Sequence, residues 1–172
     1  MVSALVIHGV PIECINRAAV VFQVPAPLIL SVLSVEGGEV GTASPNSNGT
    51  YDYGPMQVNT IWLSKIKPYG YTREMIQYDP CANVMVGTWI LSTNIADSRD
   101  LWYGIGGYHS YTPGLNYSYQ HKVWKVYDLL SRYLATPPKK VAAALPAPAP
   151  TAAPTPAAPQ PSSLALAALK PV

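Results

Sequence analysis

The sequence predicts a mainly α-helical domain of α+β type with a small irregular β-hairpin, followed by a Pro/Ala-rich tail. Three observations carry that prediction. Apolar residues recur at helical spacing over 10–24, 27–36, 81–96 and 116–134. Between Ser44 and Val58 the pattern is short and dense in Pro, Asn, Gly, Asp and Tyr, which suits a loop and a hairpin better than a sheet. Beyond Thr136 lie ten of the 18 prolines, mixed with Ala, Thr and Ser.

Length and charge narrow the class. A chain of 172 residues with 49% hydrophobic content holds one domain and a tail. Residues 1 to 136 carry eight Lys/Arg against nine Asp/Glu, and the remainder carries three Lys and no acid, so the net charge of +2 belongs to the tail. A near-neutral domain of this kind argues against nucleic acid as a partner. No apolar run reaches the ~20 residues of a transmembrane segment.

The first element, Val10 to Val24, reads as an amphipathic helix with Pro11 in its first turn and Ile12, Ile15, Ala19 and Phe22 on one face. Pro25 and Pro27 end it. The second helix, Pro27 to Glu36, is apolar nearly all round, the mark of a buried helix. It stops at Glu36 because Gly37 and Gly38 follow, and glycine supplies the left-handed conformation that closes helices. A carboxyl is thereby set at the edge of the least solvated element. Desolvation raises a carboxyl pKa, which is what a general acid working near neutral pH requires; the alternative is a helix-end carboxylate in an ion pair. Glu39, past the glycines, is expected in solvent. The turn at Asn48-Gly49 anchors the hairpin. Within it Asp52 is either a second carboxylate or a loop-shaping residue that accepts hydrogen bonds.

Next come a short helix from Thr60 to Ile66 and another turn of helix from Thr72 to Gln77. Asp79-Pro80 supplies a helix cap and a first helical residue, opening a central helix to about Ala96 whose stripe of Val84, Trp89 and Ile90 is core. Leu101 to Ser110 holds Gly104, Gly106 and Gly107, which allow close helix packing. Their spacing does not match a dinucleotide loop, so no cofactor is expected. The last helix, Asn116 to Leu134, presents Val123, Val126, Tyr127, Leu130 and Leu134 on one face. His8, His109 and His121 are too scattered for a metal site. The tail, 135–172, reads as a disordered linker, with Ser162 to Leu169 either a short helix on a partner or membrane surface or a frayed end.

Three spaced motifs now matter together: Val35-Glu36-Gly37-Gly38, Gly54-Pro55-Met56-Gln57-Val58-Asn59 and Gly107-Tyr108-His109. They resemble the signatures of the soluble lytic transglycosylase domain, usually Glu-Ser-Gly, Gly-Leu-Met-Gln and Ala-Tyr-Asn, over residues 10–134. The likeness extends to small members associated with conjugation and type IV secretion. Asp52-Tyr53-Gly54 with Gln57, Asn59 and Trp62 is also similar to the c-type lysozyme signature. The resemblance implies a lysozyme-like fold, Glu36 as catalytic acid, and substrate contacts from Met56, Gln57, Asn59, Tyr108, His109 and Tyr119. Gln57 and Asn59 suit sugar hydroxyls or N-acetyl groups, and Met56 suits a sugar ring. Gly37 replaces the family's usual Ser, and His109 its usual Asn.

The implied substrate is the β-1,4 bond of peptidoglycan, cleaved without a metal or cofactor and with a 1,6-anhydro product. Two other readings stand beside it: a hydrolytic lysozyme using Glu36 with Asp52, and a non-catalytic glycan-binding assembly module. Partners would be glycan strands and, through the tail, secretion or conjugation machinery. Cys14 and Cys81 are a disulfide or two separate core thiols; the export implied by the resemblance favours the disulfide, worth about 4 kcal/mol for so long a loop. Residues 1–9, MVSALVIHG, lack the features of a signal peptide. A periplasmic or envelope location is therefore expected through a start further upstream or another export route.

Overall fold

The structure, a computed structural model, describes residues 5–135. The chain opens with β1 (Val6–Ile7) and β2 (Val10–Pro11), an antiparallel pair joined by His8 and Gly9 at φ 50° and 76°. Two successive positive φ values match the twist of a tight hairpin. This pair was not anticipated, and it shortens the first helix. Pro11 is extended and pairs with Val6, so α1 spans Ile12–Phe22 instead of starting at Val10.

Three of the later helices begin where a side chain satisfies free N–H groups, whereas the second helix starts on a proline instead. Helix α2 (Ala26–Glu36) carries Pro27 in its first turn, and α4 (Arg73–Tyr78) is capped by Thr72. Asp79 accepts from the Cys81 and Ala82 N–H groups to start α5 (Pro80–Ala96), and Asp100 caps α6 (Leu101–Gly107). Helix α7 (Pro113–Ala135) starts three residues before the expected Asn116, because proline is well suited to a first helical turn. Over 23 residues it reaches roughly 34 Å and outruns its neighbours. Leu134, expected on the packed face, is consequently 62% exposed.

The turn-rich stretch folds as three short antiparallel strands, β3 (Ala43–Pro45), β4 (Tyr51–Tyr53) and β5 (Val58–Asn59). It is one strand more than a hairpin, with Asp52 paired to both Ser44 and Asn59. A 3-10 turn (Thr60–Trp62) then leads into α3 (Leu63–Ile66). No helix among the described residues is long and apolar enough to cross a membrane.

Helix α5 is the centre of the molecule. Helices α1 and α6 pack against it, and α2 and α6 pack against α7. Ile15, Ile29, Leu33, Ile76 and Leu91 are wholly buried, each worth about 1.5–3 kcal/mol. Gly104 lets α6 approach α5 closely, since a Cβ there would sit 2.7 Å from the Asn94 carbonyl. Cys14 of α1 and Cys81 of α5 form a disulfide across 67 residues, with their Cα atoms 5.0 Å apart. The expected linker and the Ser162–Leu169 segment lie outside the described residues.

Candidate active site

Glu36 is delivered by the way α2 ends. Gly37 adopts φ 62°, and its N–H returns to the Leu33 carbonyl at 3.0 Å. The next residue, Gly38, passes directly beneath the turn Gly54–Gln57, where any Cβ would collide with the Gly54 carbonyl and the Gln57 amide. That turn is tight. The Gln57 backbone N–H and side-chain amide both donate to the Gly54 carbonyl, at 3.0 and 2.8 Å, and Gln57 itself has φ 48°. A non-glycine residue in this region stores about 1 kcal/mol or more of strain, which the surrounding structure must hold.

What holds it is Asn83, a wholly buried side chain of α5. Its Oδ1 accepts from the Met56 N–H, and its Nδ2 donates to the Tyr53 and Ile76 carbonyls, all at 2.8 Å. Met56, expected against a sugar ring, is instead 0% exposed and lies against Gly87 of α5, where no side chain would fit beside it. Its part in the site is therefore structural: it pins the turn that carries Gln57.

The Glu36 carboxyl is held from behind. Tyr119 of α7, 3% exposed, donates its hydroxyl to Glu36 Oε1 at 2.5 Å. Burial is the largest influence on Glu36 and raises its pKa from about 4.5 to about 7; the Tyr119 bond lowers it, Asp52 raises it and Lys122 lowers it. Burial, with the Glu36 charge, pushes the Tyr119 hydroxyl well above its ordinary range, so it stays a donor. Tyr119 in turn stacks with His109, at 5.2 Å, and with Tyr108, at 6.4 Å. The Tyr108 hydroxyl donates to the Met56 carbonyl at 2.8 Å. Tyr108 thus ties the α6 end to the Gln57 turn and does not touch Glu36 by a hydrogen bond.

In front of Glu36 opens a cleft of about 550 Å³, whose walls include Asp52, Gln57, Asn59, Trp62, Tyr108 and His109. Asp52 accepts from Asn46 Nδ2 at 2.9 Å and from Asn59 Nδ2 at 2.7 Å. These bonds match the loop-shaping reading of Asp52, yet its charge still reaches Glu36. Asn59 spends its amide on Asp52 and Thr50, and its oxygen on the Ile61 N–H. Glu39 is exposed, as expected. Sequence reasoning missed Asn46, Asn94 and Tyr111, which line the cleft, and Asn83, which holds the turn. For the two α5 asparagines there was a signal: an amide inside an otherwise apolar helix demands partners.

The Transglycosylase SLT domain profile matches residues 13–119, from the second residue of α1 through Tyr119. The chain belongs to the transglycosylase SLT domain family. Among curated relatives it is 27% identical over 128 residues to invasion protein IagB of Salmonella typhi, covering 72% of this chain and 80% of that protein. Protein IpgF of Shigella flexneri is 27% identical over 101 residues, 58% of this chain and 66% of its own. A peptidoglycan-binding-like protein of Escherichia coli O157:H7 is 27% identical over 105 residues, 56% and 63%. In this SLT chain the matched region contains Glu36, Gln57, Tyr108 and Tyr119, and so spans the whole cleft constellation.

Proposed function

We propose that this SLT protein is a peptidoglycan lytic transglycosylase that cleaves the β-1,4 bond between N-acetylmuramic acid and N-acetylglucosamine. The observation that carries the reading is Glu36: one carboxyl, at the floor of an open cleft, with its pKa raised to about 7 by burial and its orientation held by Tyr119. Such a group keeps its proton near neutral pH and can give it to a leaving oxygen. In the proposed reaction Glu36 protonates the glycosidic oxygen as the bond breaks. Its carboxylate then takes the proton of the muramyl C6 hydroxyl as that oxygen bonds to C1. The product is a 1,6-anhydro sugar, no water is consumed, and Glu36 ends protonated as it began.

Asp52 supports a second reading, hydrolysis, because it lines the same cleft. Its two amide partners favour an electrostatic role over attack on the sugar. Residues 10–134 would form the catalytic domain, with 135–172 as a linker to other components. The names of the relatives, an invasion protein and a peptidoglycan-binding-like protein, fit action on the cell wall, and the proposal extends to a place in the periplasm or cell envelope and local opening of the wall for a secretion or conjugation apparatus.

Digestion of purified peptidoglycan by the full chain, with products read by mass spectrometry beside Glu36→Gln, tests the reading. We expect muropeptides ending in 1,6-anhydro-muramic acid, absent with the variant. Products heavier by one water would establish hydrolysis instead, and products that persist in Glu36→Gln would remove Glu36 from the mechanism.

A further inference from the structure

Five carboxamide side chains line the cleft: Asn46, Asn48, Gln57, Asn59 and Asn94. Four are already engaged. Asn46 and Asn59 donate to Thr50 and Asp52, Asn48 accepts from the Thr50 hydroxyl, and Gln57 donates to the Gly54 carbonyl. Asn94 of α5 differs. It is only 6% exposed, and among the described residues its carboxamide has no hydrogen-bond partner. Its small open surface faces the cleft. Its amide oxygen and nitrogen are not among the fully buried atoms left without a partner, so both reach the cleft and are open to what enters it.

We infer that Asn94 reads the 2-acetamido group of a hexosamine, a role that rests on the glycan reading of the cleft. The chemistry selects this ligand. An Asn carboxamide offers one acceptor and a donor pair; an acetamido group presents the matching N–H and carbonyl on one planar unit. A sugar hydroxyl would occupy one side of Asn94, and a carboxylate would leave Oδ1 without a donor. Ile90, one turn earlier on α5 and 2% exposed, lines the same wall, and Trp62 lines the cleft with it. Both are apolar surfaces suited to the acetyl methyl group. The amides expected to do this work, Gln57 and Asn59, instead hold the loop and turn in place.

The test measures binding of chitotetraose and of cellotetraose, its counterpart with hydroxyls in place of acetamido groups, to the full chain carrying Glu36→Gln so that nothing is cleaved. Calorimetry is repeated with Asn94→Leu and Asn94→Ser added, together with thermal denaturation of each protein. We expect chitotetraose to bind about tenfold more tightly than cellotetraose or better. Both Asn94 variants should erase that preference by weakening chitotetraose alone. Asn94→Leu should leave Tm nearly unchanged, because no hydrogen bond to the described residues is lost and the new side chain has a similar volume. A preference that survives both variants overturns the inference. So does a fall in Tm with equal weakening of both sugars, which marks a structural residue, and so does a failure to bind either sugar. If the wild-type chain releases no muropeptides while the Asn94-dependent preference persists, the catalytic reading fails and this one stands. If peptidoglycan is cleaved and the preference does not depend on Asn94, this one fails alone.

Discussion

Glu36 must keep a proton where exposed carboxyls have lost theirs, and its neighbours pull that property in opposite directions. The acid is competent when protonated, so kcat/KM should fall as pH rises above about 7. Tyr119 lowers the Glu36 pKa and Asp52 raises it. Tyr119→Phe should therefore move the alkaline limb of the pH profile to higher pH, and Asp52→Asn should move it lower. Shifts in the same direction would sink this electrostatic account. The same burial has a stability cost. The native carboxyl releases its proton near 7 and the unfolded one near 4.5, so across that window the native state binds more protons and stability falls as pH rises. Below the unfolded value the two states are protonated alike, and no penalty applies. Glu36→Gln should thus unfold at higher denaturant at pH 8, by up to about 3 kcal/mol, and at nearly unchanged denaturant at pH 4. The position of Glu36 was legible in the sequence because an apolar helix and a glycine stop are local signals. Its Tyr119 partner lies 83 residues away, and only motif likeness pointed to it.

At the scale of elements, the site depends on how α5 grips the turn before β5. Asn83 bonds three backbone groups, from β4, α4 and the Met56 N–H. Asn83→Leu would leave all three without their side-chain partner, and we expect a loss of about 3 kcal/mol or more in urea unfolding. Activity should fall further than stability alone explains, since Gln57 loses its support. Gly87→Ala tests the same grip from the packing side. A Cβ there would sit 2.6 Å from the Met56 sulfur, so the turn must shift or Met56 must leave its pocket. The element boundaries show why these couplings were invisible beforehand. Caps at Thr72, Asp79 and Asp100 act within three residues and can be read along the chain. The grip of Asn83 on Met56 spans 27 residues, and no periodicity encodes it.

For the whole molecule, the Cys14–Cys81 bridge joins α1 to the central helix, and the cleft opens elsewhere on the fold. Replacing both cysteines by Ser should lower stability by up to about 4 kcal/mol while leaving the product distribution of the surviving folded enzyme unchanged. Denaturant titration and mass spectrometry of the digest would check the two halves. A chain cut after Thr136 should release the same muropeptides as the full chain, because every residue proposed for the chemistry precedes that point. By itself the sequence determined the helical class, the Asp79-Pro80 start of the central helix and the acid at the end of α2. These follow from spacing, caps and glycine stops that act over one or two turns. Only the tertiary structure decided that Glu36 holds its proton to about pH 7, that Met56 is core, and that Asn94 is the cleft amide without a hydrogen-bond partner among the described residues. Burial and hydrogen-bond pairing are properties of what packs against a residue, and here those neighbours come from distant parts of the chain.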